Sequence, residues 1–255
     1  MPPWMNWSKT VRGVVRQTVC GILLAAVCLP FFAPVARGRE RFGAFLSGDR
    51  ISDKVICLTF DDGPHPRYTE RILSVLAEYG VVATFFFVGE NVALYGDVAK
   101  KVAALGHEIG NHTQTHPHMQ KIGDDALIEE ISKAQREITA ATGAVPTLFR
   151  PPEGKITKER SALLGKMGFR GVLWSVDTLD WKGTSAEVIA NGILEKIKGG
   201  DVILCHDYVG HPTTTVDALR LFLPELIKKG YRFVTVSQLI EIGRASCRER
   251  VCLSV

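Results

Sequence analysis

Between residues 37 and 240 the sequence shows no surplus of either charge and has almost no cysteine. That stretch holds 25 basic and 25 acidic side chains, although the whole chain of 255 residues carries a formal charge of +4. The surplus lies at the ends: Lys9, Arg12 and Arg16 with no acid among the first 36 residues, and three Arg against two Glu in residues 241–255. A balanced globular part offers no basic face, which argues against a nucleic-acid partner. Of the six cysteines, Cys20 and Cys28 lie in the N-terminal apolar run and Cys247 and Cys252 near the far end. Cys57 and Cys205 remain, inside the apolar runs VICLTF and VILC, as expected of buried free thiols rather than a disulfide. Also missing are a solenoid-like repeat, low-complexity sequence and a long internal linker. With 46% hydrophobic residues, the length suffices for one domain around one substantial core.

The two ends read differently from the middle. A basic stretch precedes the apolar run VCGILLAAVCLPFFA (Val19 to Ala33), the order of an export signal or signal anchor. Pro34 spoils a cleavage site ending at Ala36, whereas Pro30 and the short length weaken a stable span, so cleavage and membrane anchoring both stay open. Residues 1–36 are therefore expected to export the chain, secreted or attached to the outer face of the cytoplasmic membrane. Residues 37–53 form a linker and residues 54–240 the domain. GRASCRERV (Gly243 to Val251) has neither helical nor strand periodicity and resembles a translated sequencing adapter. Residues 241–255 are accordingly expected to be a non-native tail.

Within the domain, short apolar runs alternate with amphipathic stretches. Strands are expected at Val55–Phe60, Val82–Val88, His107–Ile109, Thr147–Phe149, Gly171–Trp174, Val202–Cys205 and Arg232–Val234. Helices are expected at Thr69–Tyr79, Val92–Leu105, Asp124–Thr142, Thr157–Met167, Ser185–Lys198 and Thr215–Lys229. Gly80, Gly106, Gly143, Gly168, Gly199 and Gly230 are placed to cap them at the C-terminus. Continuous apolar strands alternating with helices imply a parallel sheet covered on both faces, and seven repeats an α/β barrel short of eight strands.

Polar clusters follow those strands. Asp61 and Asp62 come after the first, His112 and His116 after the third, and Arg150 after the fourth. Asp177, Asp180 and Trp181 follow the fifth, and His206 and Asp207 the sixth. In a parallel barrel these ends open on one face, where such folds carry their chemistry. Each cluster alone is weak: DDGP is more often a turn, and two histidines four apart are as often solvated. Arg150 alone reads as a surface ion pair and His206 as a core histidine, but all these readings together do not explain one shared face.

Two His and one carboxylate that leave a position open form the pattern of a catalytic zinc site. Zinc lowers the pKa of a bound water to about 7, so one of the two adjacent Asp would bind the metal and the other take the proton. His206, kept protonated by Asp180, is the candidate acid, and Arg150 is expected to hold the free aspartate by a bidentate contact.

Five segments carry a resemblance: TFDDGP (Thr59 to Pro64), HTQTH (His112 to His116), RPPEG (Arg150 to Gly154), DTLDW (Asp177 to Trp181) and ILCHD (Ile203 to Asp207). They resemble the five ordered motifs of the polysaccharide deacetylase family, the NodB-homology domain or carbohydrate esterase family 4, from about Lys54 to Leu239. The resemblance implies a distorted, incomplete (β/α)7 TIM-like barrel that removes N-acetyl groups from amino sugars of a glycan, peptidoglycan or chitin-like. It implies Asp61 as base, Asp62, His112 and His116 as ligands of Zn2+, with Co2+ or Ni2+ also accepted, Arg150 as support for Asp61, and Asp180 tuning the acid His206. Pro152, Glu153, Trp181 and Leu204 would contact substrate, Glu153 through its backbone N–H. The family usually has an aromatic residue where Glu153 stands, so this chain loses an aromatic wall and gains a negative charge. His65, His107, His118 and His211 match no ligand position and are expected in supporting or surface roles, His118 and His211 near the groove; Trp174 is expected in the core. Competing functions are deacetylation of O-acetylated xylan, hydrolysis of a small cyclic amide, and glycan binding without catalysis.

Overall fold

The computed structural model describes residues 54–208 and 214–252; the leader, the linker and His211 lie outside the described residues. In chain order the elements are β1 (Val55–Asp61), α1 (Tyr68–Tyr79), β2 (Thr84–Phe87), α2 (Gly89–Leu94), α3 (Gly96–Ala104), β3 (Glu108–Asn111), α4 (Asp124–Thr142) and β4 (Leu148–Phe149). They continue with α5 (Lys158–Lys166), β5 (Arg170–Gly171), β6 (Val176–Asp177), α6 (Ala186–Lys196), β7 (Val202–His206), α7 (Thr215–Lys228), β8 (Arg232–Phe233) and α8 (Val236–Cys252).

All the strand pairs are parallel, in the order β5-β4-β3-β2-β1-β7-β6, with β8 joined to the first two residues of β1. Strands β5 and β6 are successive in the chain but end the path on opposite sides, so the curled sheet stays open between them. The alternation of runs implies such an open α/β barrel, and the family resemblance its distorted, incomplete (β/α)7 form.

Strand periodicity places the site. In β1, Ile56, Leu58 and Phe60 pack outward with α1 and α7, whereas Val55 and Cys57 join an inner cluster with Phe86, Leu148, Val172 and Val202. Side chains alternate between faces, so Thr59 and Asp61 follow Cys57 inward, and His206 follows Val202 and Leu204. Outside, Phe60, Phe85 and Phe87 are fully buried, and each such ring contributes about 1.5–3 kcal/mol by leaving water. Cys57 and Cys205 are buried free thiols.

Several boundaries differ from the sequence expectation. The run Val82–Val88 pairs only over Thr84–Phe87, and Val92–Leu105 is two helices that meet at Tyr95, whose φ of −130° is not helical. The expected strand Gly171–Trp174 leaves the ladder after Gly171, because the Val172 and Leu173 carbonyls turn to the Arg150 guanidinium (3.4 and 3.3 Å). A further short strand, β6, then forms at Val176–Asp177. The left-handed position after α6 falls on Gly200 (φ 89°) rather than Gly199, since Ile197 turns extended first. Helix α8 continues through the unpatterned residues to Cys252. Arg, Ala and Glu propagate a helix that has already started, without an apolar face. Among the described residues, no helix is long and apolar enough to cross a membrane.

Candidate metal and catalytic site

Backbone strain gathers at one mouth of the barrel. Among the described residues the non-glycine positions with positive φ are Asp62 (74°), Thr113 (72°), His116 (53°), Glu153 (57°) and Leu179 (54°), all in turns that follow strands. Each such conformation costs on the order of 1–3 kcal/mol and persists only where surrounding contacts hold it. At Asp62 one holding contact is Asn91 Nδ2, which donates to the Asp62 carbonyl at 2.7 Å. Gly63 follows because nothing larger fits: a Cβ there would lie 2.1 Å from Asp207 Oδ2.

Asp62, His112 and His116 converge. Asp62 Oδ1 is 3.3 Å from His112 Nε2 and 3.4 Å from His116 Nε2, and the three ligand atoms lie within 4.8 Å of one another. His112 Nδ1 donates to the Arg150 carbonyl at 2.7 Å, so in the neutral ring Nε2 turns its lone pair toward Asp62. Asp62 Oδ1 is buried without a hydrogen-bond partner. An orphaned carboxylate oxygen facing two imidazole nitrogens is the donor set a divalent cation requires, and these residues could hold one. The protonation balance also marks the spot as short of positive charge. Burial disfavours a charged His112, yet the Asp61 and Asp62 carboxylates outweigh it and raise its pKa. His116 is pushed down by burial and by the His112 charge.

Asp61 is 3% exposed, and its Oδ1 accepts from Arg150 Nη1 at 2.6 Å. The contact is a single N–H rather than the expected bidentate pair. The same nitrogen donates to Thr59 Oγ1 at 2.8 Å, Nε and Nη2 reach the carbonyls of Val172 and Leu173, and the guanidinium lies 4.1 Å from the Phe86 ring centroid. Arg150 is fully buried and braces the open side of the barrel, unlike a surface ion pair.

His206 pairs in register with Asp61 on the neighbouring strand. Its Nδ1 meets Asp180 Oδ1 at 2.7 Å and its backbone N–H donates to Asp180 Oδ2 at 2.8 Å. Asp180 also accepts from Thr215 Oγ1 and the Trp181 N–H. Burial alone would pull the His206 pKa down, but the hydrogen bond and charge of Asp180, then Asp61 and Asp62, push it up to about 9.

Asp61, Asp62, His112, His116 and His206 line a cavity of about 770 Å³ together with Leu204, Trp174, Trp181, Glu153, Lys155 and Tyr208, whereas Arg150 and Asp180 stand behind its wall. Trp181 is 44% exposed with Lys182 Nζ 4.7 Å from its ring centroid. Trp174, expected in the core, both packs against the inner cluster and faces the cavity, because the chain has already left the sheet there. Pro152 is buried and outside the lining. Glu153 is bonded to His118 Nδ1 and Lys155 Nζ, both at 2.8 Å. His107 is a satisfied core histidine: its Nδ1 accepts from the Ala83 N–H, and burial lowers its pKa to about 4.

Sequence reasoning assigned no part to Asn91, Glu130 or Asp207. Asp207 is fully buried and accepts from Thr69 Oγ1, and burial raises its carboxyl pKa to about 7. Its place in ILCHD and the glycine of DDGP were the available signals. Glu130 is one acid among several on α4 and carried none.

Residues 48–172 match the family model described as polysaccharide deacetylase. A peptidoglycan-N-acetylglucosamine deacetylase of Bacillus cereus is 40% identical over 206 residues, 80% of this chain and 74% of that protein. A chitooligosaccharide deacetylase of a Bradyrhizobium species is 34% identical over 222 residues, 82% of this chain and 98% of that protein. The crystal structure of the Bc1960 peptidoglycan N-acetylglucosamine deacetylase with a benzamide superimposes with a TM-score of 0.75 at 39% identity, over 78% of this chain and 94% of that one.

Proposed function

The chain belongs to the polysaccharide deacetylase family and is a glycan deacetylase, a hydrolase; from that premise we propose an exported, metal-dependent enzyme that removes N-acetyl groups from peptidoglycan or chitin-like oligomers. The observation that carries the mechanism is the pairing of Asp61 with His206 in register beside the Asp62, His112 and His116 donors. Adjacent strands are about 4.8 Å apart, so one acetamido group is within reach of both.

Zinc is the first choice for the donor set, and when bound it supplies Lewis acidity toward water and the acetyl carbonyl. The chain's own residues handle the protons. Asp61 Oδ1 is committed to Arg150, which leaves Oδ2 to take the proton of the attacking water. His206 Nδ1 is committed to Asp180, so Nε2 faces the cavity and protonates the departing amine as the C–N bond breaks. Acetate and a free amino sugar leave. The Glu153 N–H, in its left-handed turn on the cavity wall, is the proposed donor to the developing oxyanion. Trp181 and Leu204 enclose the acetyl methyl. Residues 1–36 would carry the chain to the wall outside the membrane.

The test is acetate release by the full-length chain from N-acetylated chito-oligosaccharides, from peptidoglycan and from acetylated xylan, with zinc and after chelation. Zinc-dependent release from either N-acetylated glycan is expected. Release from xylan alone would make the enzyme an esterase, and no release by a folded, zinc-loaded chain would favour a small amide or a binding role.

A further inference from the structure

Glu130 sits on α4, outside the cavity lining, yet it organises the loop that joins two of the three metal donors. Its Oε2 accepts from the Gln114 N–H at 2.9 Å and the Thr115 N–H at 2.8 Å, and its Oε1 from Thr115 Oγ1 at 3.0 Å. The loop is strained at Thr113 and at His116. The backbone donors of residues 112–116 can all be traced. His112 donates to the Phe87 carbonyl, Thr113 to Asn111 Oδ1, Gln114 and Thr115 to Glu130, and His116 to Thr113 Oγ1. Two of the five therefore depend on one carboxylate, which accepts without donating when ionised and makes stronger bonds than a neutral acceptor.

The helix beneath is firm. Leu127, Ile131, Ala134 and Ile138 bury one face of α4, and the Ile131 carbonyl accepts from Asn111 Nδ2 at 3.0 Å. Glu130 thus ties the peptide groups at the middle of the loop to a packed helix, while His112 is fixed at one end through Arg150. Without that tie, His116, which is exposed, could relax its positive φ and carry its Nε2 away from Asp62.

We propose that Glu130 is a positioning residue for the metal site, holding the His112–His116 loop in the strained form that brings both imidazoles to Asp62. This rests on Asp62, His112 and His116 being metal ligands. Partners that orient ligands typically account for about 10–100-fold in metal affinity, so Glu130→Ala should weaken zinc binding by that factor. Glu130→Gln should stay within a few-fold of wild type, since an amide oxygen can serve both N–H groups while Thr115 Oγ1 accepts from its NH2.

The measurement is zinc alone titrated into the metal-free full-length chain against a chromophoric chelator, with the melting temperature of each metal-free chain recorded beside it. A general packing role would lower the melting temperature of Glu130→Ala and leave the zinc affinity of the folded chain unchanged, which would overturn the proposal. Should Glu130→Ala not fold, Thr115→Ala, which removes one of the three bonds, should bind zinc roughly fivefold more weakly. Unchanged affinity there would equally overturn it. A wild-type chain that binds no zinc would instead defeat the metal reading itself.

Discussion

The two sides of the barrel mouth are built differently. On one side β1, β2, β3 and β7 run for four to seven residues; β1 ends in Asp61 with Asp62 next to it, His112 directly follows β3, and β7 ends in His206. On the other, β4, β5 and β6 are two residues each, and the turns beyond them carry Glu153, Trp174 and Trp181 around the cavity. Asp61 and His112 are nearly inaccessible, whereas Trp181 is 44% exposed. Arg150 and Asp180, from the short-strand side, are fully buried, and both reach back to groups on the long strands, Asp61 and His206. The acid and base candidates stand on long paired strands with buried partners, and the exposed part of the cavity wall stands where the backbone can change cheaply.

The comparison breaks most visibly if the long-strand side tolerates change. Asp62→Ala should lose zinc and activity together. Asp61→Asn should keep zinc and lose about 10²–10⁴-fold in kcat, the usual range for a general base. Zinc stoichiometry beside acetate-release rates separates the two, and near-normal turnover by Asp61→Asn would move the base elsewhere. A smaller effect is expected at Asp180→Asn. Burial pulls the His206 pKa down, and the hydrogen bond and charge of Asp180 are the first influences that outweigh it to reach about 9. With asparagine the hydrogen bond to a carboxylate and its charge are gone, and the pKa should fall, with only Asp61 and Asp62 left to oppose burial. Because the folded value is raised in the wild type, the stability His206 contributes is complete below pH 6.5 and is lost as pH rises through about 9. The variant should lack that contribution, and its alkaline activity limb should move to lower pH. An NMR titration of the His206 ring in the metal-free chain checks this; an unmoved pKa would detach Asp180 from the acid.

What could be read from the sequence follows the same division. VICLTF, TFFF and VILC announce buried strands because they are apolar on both faces, and the polar residues that end them mark the mouth. The two residues of β6, Val176–Asp177, stand outside any apolar run, so the sequence does not mark them, whereas the apolar run ending at Trp174 reads as a strand although it pairs only at its start. There the carbonyls answer to Arg150, a partner 22 residues away, rather than to a neighbouring strand. The bond from Glu130 to the loop escaped for the same reason: a long-range contact between one helix acid and two peptide N–H groups leaves no local pattern.

The smallest effect should come from the short-strand side, at Glu153, where the family resemblance leads one to expect an aromatic residue. Glu153 holds a left-handed φ of 57° and is tied to His118 and Lys155 at the surface, contacts worth about 0–1 kcal/mol at such exposure. Lys155 and His118 hold its carboxyl below the usual range, so it is charged at neutral pH and faces the cavity as an anion. Glu153→Tyr removes that charge and supplies an aromatic wall, while the left-handed turn that carries the N–H is no more strained by tyrosine than by glutamate. Zinc affinity should not move, because no ligand touches residue 153. KM for neutral chito-oligosaccharides should fall about two- to fivefold, the value of one modest sugar contact of ~0.5–1 kcal/mol, with kcat nearly constant. A tenfold change in kcat would mean that the Glu153 side chain, and not only its backbone, takes part in the chemistry, and the rim would then belong with the buried side of the mouth rather than opposite it.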